Sequence, residues 1–244
     1  MASMRAIAAV TASTTASKTL RHQRHSVSRG AASRGSVSTA ATSQVTLFGS
    51  QGSRSPLVNW YANEIGLELT MKAPSDGANP HPFKQVPALR DGDLELWESG
   101  AILSYLADQY GGLDTPEARA ECAKWVYFAN ATLDPVVFKE NANGGVVDTG
   151  ARDPNNRRLG QLERVLEGRE FLVGDTFSVA DVAVCAYLLY VPQFFPDVSF
   201  APWPNLVKYM GRCASRDAYG KAFGQKVQQY LVQKCIGWVK ASGA

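Results

Sequence analysis

The stretch from Val86 to Ser99 constrains the fold of this chain more than any other part of its sequence. Two short runs with β-strand character, Val86–Leu89 and Leu94–Trp97, flank an Asp-Gly pair that is a strong hairpin signal. An acid and a hydroxyl residue, Glu98 and Ser99, then open a segment of helical periodicity. The stretch therefore predicts a strand, a tight turn, a second strand and the start of a helix. Such an arrangement can hold a small anionic peptide by its backbone and by its charge at once.

Strands and helices alternate around this stretch. Val45–Phe48 is a short β-rich run, and the segment from Pro56 to Gly66 has apolar residues at helical spacing between a helix-starting proline and a helix-ending glycine. Leu67–Met71 alternates like a strand, and Ser99–Tyr110 is a predicted helix. A parallel strand pair with a crossover helix, followed by a hairpin and a last helix, indicates a small α/β layer.

After Leu113 the strand signals vanish and only helices are predicted. They cover residues 116–139, with a bend at Pro135, and residues 155–166, 180–191 and 204–215. Thr115 is a favourable N-cap, and Ser178 with Asp181 forms a capping-box pattern before an almost wholly apolar segment. We expect that segment to be the buried centre of an all-helical domain.

The first 43 residues differ in composition from the rest of the chain. They contain six Lys or Arg residues and no Asp or Glu, and the first acid of the chain is Glu64. Most of the remainder is Ala, Ser and Thr, a composition typical of an organelle transit peptide. The alternative is a disordered tail that stays attached. The apolar run Ala6–Val10 is too short for a secretory signal or a membrane span.

Setting this segment aside reverses the sign of the net charge. The whole chain carries +3, and removing the six cationic residues leaves −3. A basic face for nucleic acid is therefore not expected. No membrane span is expected either, because no run of about 18 apolar residues occurs.

The four cysteines form neither a CxxC motif nor a zinc-ligand spacing, so no metal site is predicted. Cys122 and Cys185 lie on apolar helical faces and are expected to be core thiols. Cys235, nearer the end of the chain, is a candidate reactive thiol, although the sequence offers no local base for it.

Three motifs occur in a fixed order along the chain. His81–Leu89 is similar to the Asn-Pro-x-Gly-x-Val-Pro-Ala-Leu segment of cytosolic-type glutathione transferases. Leu96–Leu103 resembles the γ-glutamyl-binding turn of that family, and Leu172–Asp181 resembles the helix-capping motif of its second domain. The loop Ser53–Ser55, together with Trp60-Tyr61, is similar to the Ser-Arg-Ala-Ser…Gln-Trp-Tyr of cyanobacterial chi-class members.

The resemblance implies a thioredoxin-like α/β domain over residues 44–112 and an all-α helical-bundle domain over residues 113–244. The transit peptide expected from composition covers residues 1–43. The family resemblance implies an enzyme that joins the glutathione thiolate to small hydrophobic electrophiles in detoxification and stress response, with glutathione peroxidase as a possible side activity. Glutathione would be a co-substrate, so no cofactor is expected. A homodimer is expected, in the chloroplast stroma, with the mitochondrion or the cytosol as alternatives.

The resemblance also implies where glutathione binds. In the family the proline equivalent to Pro87 is cis and turns the backbone of Val86 towards the cysteinyl part of the ligand. Glu98 would receive the α-amino group of glutathione, and Ser99 would hydrogen-bond the γ-glutamyl carboxylate at a helix N-terminus. Gln85, beside Val86, belongs to the same predicted site.

Two positions depart from the family pattern. His81 stands where Asn is usual, and Lys84 stands where Gly is common. Lys84 is either a partner for the glycine carboxylate of glutathione or a solvated loop charge.

Activation of the thiol is expected in the loop before the first helix. Counting from Val45 without gaps, Ser53 matches the family's serine, whereas aligning by the Ser-Pro pair selects Ser55. Arg54, a permanent cation beside both, either stabilises the thiolate or faces solvent. The loop contains no Tyr or Cys, which argues against the family branches that use those residues.

Three aromatic residues on the long helix of the second domain are candidates for the electrophile site: Trp125, Tyr127 and Phe128. Most aromatics at such spacing are core residues. A different function is also open, in which the same fold binds glutathione or apolar ligands, or serves as an interaction module, without turnover. A thiol-transfer reductase is disfavoured because the loop has no Cys.

Overall fold

The computed structural model describes residues 44–243, which lie within one compact unit. The predicted transit peptide at residues 1–43 lies outside the described residues. The predicted domain boundary after residue 112 stays a prediction. Along the described residues, none of the helices is both long and apolar enough to cross a bilayer.

A four-stranded mixed sheet has the order β2-β1-β3-β4. Its strands are β1 (Thr46–Phe48), β2 (Thr70–Lys72), β3 (Ala88–Asp91) and β4 (Leu94–Trp97). β1 is parallel to β2 and antiparallel to β3, which forms the predicted hairpin with β4. The predicted α/β layer is therefore confirmed; β2 starts three residues later and ends one residue later than expected, and β3 is displaced by two residues.

Two helices of this layer start at the positions that matter for the site. Helix α1 (Ser55–Glu64) begins directly after the loop from β1, and Pro56 takes its second position rather than the first. Helix α2 (Ser99–Gln109) begins after Glu98, which has a left-handed backbone with φ of 68°. Both sequence-predicted helices are thus present within one residue of the expected start.

The predicted long helix after Thr115 is not continuous. Thr115 caps α3 (Pro116–Phe128), which passes through a π-helical turn (Ala129–Leu133) into the short helix α4 (Asp134–Val137). The break lies next to the expected bend, because Pro135 has no N–H to donate to the carbonyl of Ala131. A π-helical turn of this kind is frequent at functional sites.

The sequence predicts only helices after Leu113, but the second half also contains two short strands. Strands β5 (Lys139–Glu140) and β6 (Val146–Asp148) form a small antiparallel hairpin. The Asn141 side chain accepts hydrogen bonds from the backbone N–H groups of Asn143 and Gly145 and so closes the connecting turn. With two and three residues, these strands are too short to give a periodic signal.

Five further helices complete the fold: α5 (Arg157–Val165), α6 (Val179–Phe194), α7 (Pro204–Ala214), α8 (Asp217–Phe223) and α9 (Gln225–Ser242). Every residue of α6 from Val179 to Pro192 is buried, and the Ser178–Asp181 capping box is present. Both predictions for this helix are confirmed. Helices α8 and α9 were not predicted from the sequence.

All four cysteines are buried as free thiols. This confirms Cys122 and Cys185 as core residues. The expectation of a reactive Cys235 is wrong, because this side chain is 3% exposed and its burial raises the pKa of the thiol to about 12. A thiol of that kind is inert.

Candidate active site

The loop between β1 and α1 places a serine hydroxyl at the edge of a cavity. The Ser53 hydroxyl donates to the carbonyl of Ser50 over 2.8 Å and lies 2.7 Å from the hydroxyl of Ser55. Its oxygen also accepts the backbone N–H of Ser55 over 3.1 Å. Because a hydroxyl has one proton and Ser53 gives it to Ser50, the short contact requires the Ser55 hydroxyl to donate to Ser53.

The two serines differ in exposure. Ser55 is 1% exposed, and its side chain fills the space beside Gly49, where an added Cβ would clash with Ser55 Cβ. Ser53 is half-buried and lines a cavity of about 420 Å³. Ser53 is therefore the serine that a bound molecule can reach, and Ser55 lies behind it.

The Arg54 side chain reaches from this loop to the second half of the fold. Its Nη2 donates to Asp134 Oδ1 over 2.6 Å, and its guanidinium carbon lies 5.5 Å from the ring centroid of Tyr187. Burial works against the charged form, but Tyr187 and Asp134 outweigh it and raise the pKa of Arg54. Arg54 is thus a fixed cation that connects the loop to the start of α4 and to α6.

Two tyrosines of α6 fix the neighbouring backbone and side chains. Tyr190 donates its hydroxyl hydrogen to the carbonyl of Ser53 over 3.1 Å. Tyr187 donates to Asn130 Oδ1 over 3.2 Å and also interacts with the side chain of Ser99. Burial raises the pKa of both tyrosines, so both stay neutral donors. Through Tyr187, the predicted γ-glutamyl residue Ser99 is linked to Arg54.

The predicted backbone edge for the cysteinyl part of a ligand lies at the head of β3. The Val86–Pro87 bond is cis, as the resemblance implied. Val86 is half-buried, Pro87 is buried and Gln85 is exposed. The buried side chain of Asn79 donates to the carbonyl of Gln85 over 3.2 Å and so braces this edge from behind.

The two positions that depart from the family pattern have structural roles in the loop before this edge. His81 is 4% exposed, and its Nδ1 accepts the backbone N–H of Phe83. Lys84 has a left-handed backbone with φ of 55°, and its Nζ donates to the carbonyl of Asn79 over 3.1 Å. Lys84 is exposed, so its ammonium group also remains open to solvent.

Glu98 and Ser99 occupy the N-terminus of α2 as predicted. Glu98 is exposed, and its carbonyl accepts the N–H of Ile102 as the first bond of the helix. Ser99 is 4% exposed. Exposed N–H groups at such a helix end favour a bound carboxylate.

The cavity beside Ser53 has an aromatic wall that the sequence did not reveal. Phe138, Tyr190 and Phe194 pack with ring centroids 5.6 to 6.3 Å apart and line the cavity together with Gln51, Glu140 and Val146. Phe138 follows α4, whereas Tyr190 and Phe194 lie one turn apart on α6. A concave, mostly apolar space with a few polar groups is typical of a small-molecule site.

The three aromatics predicted for an electrophile site lie elsewhere. None of them lines the cavity beside Ser53. Trp125 and Phe128 pack edge to face at 5.5 Å against the core, and Tyr127 is 65% exposed and lines a separate cavity of about 250 Å³ between α2 and α3. The sequence could not distinguish them from Phe138 and Tyr190, because all five are aromatic residues within predicted helices.

Asp134 is a site residue that sequence reasoning missed. It follows the π-helical turn and precedes Pro135, so the only available signal was the predicted bend. Its burial raises the pKa of the carboxyl, although Arg54 acts to lower it. Keeping this partly buried carboxyl group ionised costs free energy. Ionisable groups with shifted pKa values are common at functional sites.

The sequence matches two models that describe the two domains of one protein family. Residues 43–108 match the family model described as "Glutathione S-transferase, N-terminal domain", and residues 145–217 match "Glutathione S-transferase, C-terminal domain". The glutathione S-transferase GstB of Escherichia coli is 32% identical over 177 residues, which cover 64% of this chain and 81% of GstB. Elongation factor 1-gamma of Danio rerio is 29% identical over 158 residues, which cover 59% of this chain and 35% of that protein.

A solved structure has the same fold. It is a glutathione transferase family member from Pseudomonas fluorescens with two glutathione molecules bound. The two structures superpose with a TM-score of 0.62 at 25% sequence identity, and the match covers 75% of this chain and 94% of the other.

Proposed function

Because this chain belongs to the glutathione S-transferase family, we propose that it catalyses the attack of the glutathione thiolate on small hydrophobic electrophiles. The observation that carries the proposal is the partly exposed Ser53 hydroxyl at the mouth of a cavity with an aromatic wall. The glutathione thiol would meet Ser53 at that mouth, and the electrophile would occupy the cavity.

The chemical task is to lower the pKa of the thiol. A free thiol has a pKa near ~8.5, and the thiolate is the nucleophile. Each unit of lowering corresponds to about 1.36 kcal/mol of preferential thiolate stabilisation. A hydrogen bond to a charged acceptor contributes about 1.5–3 kcal/mol, so one hydroxyl donor can supply one to two units.

Ser53 can become that donor by a simple change of partner. Its proton would turn from the carbonyl of Ser50 to the glutathione sulfur. The Ser55 hydroxyl donates into the Ser53 oxygen, which polarises the Ser53 O–H and strengthens its bond to the sulfur. Arg54 would add a favourable field, although Asp134 offsets part of its charge.

The remainder of glutathione would lie along the predicted binding residues. The γ-glutamyl carboxylate would bind at the N-terminus of α2 beside Ser99, and Glu98 would receive the α-amino group. The backbone of Val86 would pair with the cysteinyl part, and the exposed Lys84 would reach the glycine carboxylate. A glutathione peroxidase side reaction would use the same thiolate.

We also propose that the protein forms a homodimer and is located in the plastid. An exposed aromatic cluster supports the dimer: Phe83 is 70% exposed, Trp97 is 41% exposed, and their rings lie 6.0 Å apart. Apolar side chains grouped in this way often mark a protein–protein contact. The acid-free, Ser- and Arg-rich composition of residues 1–43 supports the plastid.

The decisive experiment follows the ultraviolet band of the glutathione thiolate as the pH is raised in the presence of the protein. We expect Ser53→Ala to raise the apparent thiol pKa by one to two units and to lower kcat about 10- to 100-fold, with KM for glutathione nearly unchanged. Ser55→Ala is the matched variant, and we expect a smaller effect because Ser55 acts only through Ser53. A Ser53→Ala protein with wild-type kcat would remove Ser53 from the mechanism.

A non-catalytic function is the second candidate. It is favoured by the similarity to elongation factor 1-gamma, whose name does not describe a transferase. Retention on immobilised glutathione without turnover of an aryl halide would support this binding function. Turnover that depends on Ser53 would exclude it.

A further inference from the structure

We propose that the β5–β6 hairpin makes the electrophile cavity selective for charge, with Glu140 disfavouring electrophiles that carry an anionic group. Neutral and cationic aromatic electrophiles are then the preferred second substrates. This inference rests on the proposed function, because it assigns the substrate class of the same site.

The cavity walls define the shape of the substrate. Phe138, Tyr190 and Phe194 form one wall, and Phe194 is 55% exposed at the opening. Val146 of strand β6 lines the hairpin side and is 39% exposed. An apolar ring between these walls would cover side chains that are otherwise in water.

The charges around the cavity leave a negative balance. Two charged side chains line it, Arg54 and Glu140. Arg54 is paired with Asp134 over 2.6 Å, and Lys139, next to Glu140, is paired with Asp148 over 3.1 Å. Within residues 44–243, Glu140 itself is in no salt bridge.

The field of Glu140 reaches Asp134, the partner of Arg54 on the cavity lining. The carboxylate of Glu140 adds to the raised pKa of Asp134, the residue that binds Arg54. A carboxylate on the substrate would meet the same repulsion. At a separation of several ångströms, in a medium between water and protein, one unit charge changes an affinity by roughly three- to tenfold.

The test compares two aryl halides that differ in charge and little in shape. Chlorodinitrobenzamide is neutral, and chlorodinitrobenzoate carries a carboxylate at the same ring position. The measured quantity is the ratio of kcat/KM for the amide to kcat/KM for the benzoate, using the full chain. Taking this ratio relative to the wild type cancels the difference in intrinsic reactivity and any effect on glutathione itself.

We expect the ratio to fall about fivefold in Glu140→Gln and further in Glu140→Lys. It should also fall in the wild type as salt is added, because added ions screen an exposed charge. Glu167→Gln removes an exposed carboxylate outside the cavity and should keep the wild-type ratio. Equal ratios in all four proteins would overturn the inference.

A binding measurement separates this inference from the proposed function. Calorimetry gives the affinities of the two S-aryl glutathione conjugates, one with the carboxamide and one with the carboxylate. If the wild type turns over neither halide, the proposed function fails, and the affinity ratio of the conjugates decides the inference by the same Glu140 dependence. An affinity ratio that ignores Glu140, or absence of binding of both conjugates, overturns it.

Discussion

The contacts of Arg54 fix the position of its guanidinium at a cost in the stability of the fold. Its Nη2 bonds Asp134 and its guanidinium lies over Tyr187, yet along the described chain its buried Nε has no hydrogen-bond partner. A buried donor without a partner costs about 1–3 kcal/mol. The pair also keeps the Asp134 carboxyl partly buried, which raises its pKa. Such an arrangement fixes Arg54 at the cavity that Ser53 also lines, rather than strengthening the fold.

Removing either member of this pair should therefore impair the same function. We expect Arg54→Ala and Asp134→Ala each to lower kcat/KM for glutathione about tenfold, and the double variant to be no worse than the worse single variant. Arg54→Ala removes the cation, and Asp134→Ala removes the carboxylate that orients it. Because both variants lose the same oriented cation, their effects do not add. Steady-state kinetics with glutathione as the varied substrate gives the three values.

Asp108→Ala is the control for this cycle. Asp108 is an exposed carboxylate of α2 that pairs with Arg119 over 3.0 Å, away from the Ser53 cavity. It should retain wild-type kinetics, since exposed pairs contribute little. Additive losses in the Arg54 and Asp134 variants would mean that the two residues act separately.

The elements around the site differ in how far the sequence predicts them. The Asp-Gly turn, the acid-hydroxyl pair at Glu98 and Ser99, and the Ser178–Asp181 capping box act within a few residues, so each was readable. The π-helical turn at Ala129–Leu133 was not readable, because it depends on packing against α2 and α6. The β5–β6 hairpin was missed for its shortness, and it carries Glu140.

Gly100 tests the contact between α2 and the π-helical turn. A Cβ at this position would lie 2.5 Å from Asn130 Nδ2 and 3.1 Å from Val126 Cγ1, and Tyr187 holds Asn130 in place. We expect Gly100→Ala to push the N-terminus of α2 outward and to raise KM for glutathione about tenfold, because a small displacement of binding groups is costly. Kinetics and calorimetry with glutathione measure the change.

Gly160→Ala is the matched control, since Gly160 is also a helical glycine but has open space around its Cβ position. It should keep wild-type KM and gain up to about 1 kcal/mol of stability from helix propensity. A Gly100→Ala protein with the KM of the Gly160→Ala protein would show that the close packing does not position the binding site.

At the scale of the whole molecule, aromatic packing joins the sheet layer to the helical half. Trp60 of α1 is fully buried, with its ring 4.9 Å from that of Tyr219 and 5.6 Å from that of Phe177. The sequence identified Trp60 as an apolar helix residue, but its neighbours lie more than 100 residues away along the chain. The general fold was readable from local motifs, whereas the aromatic wall and this junction depend on long-range packing.

One ion pair crosses the same junction. Glu64, at the end of α1, accepts two hydrogen bonds from Arg216 over 2.7 and 2.8 Å and one from Trp60 Nε1 over 2.8 Å. The Arg216 guanidinium lies 4.0 Å from the ring centroid of Phe177. The Glu64 side chain is only 10% exposed, so its charge depends on Arg216 for compensation.

Arg216→Ala should therefore weaken the molecule as one unit. Breaking a buried pair costs about 3–5 kcal/mol, and because Arg216 is 35% exposed we expect about 2 kcal/mol. Native-state hydrogen exchange should show the same loss for slowly exchanging amides in β1–β3 and in α6, because both halves share the junction. Arg158→Ala is the control: this exposed arginine on α5 donates a side-chain hydrogen bond to Gln161 over 3.2 Å, and its loss should change stability by no more than about 0.5 kcal/mol. If the amides of α6 lose protection while those of β1–β3 keep it, the two halves unfold independently. The Glu64–Arg216 pair would then not stabilise the junction between them.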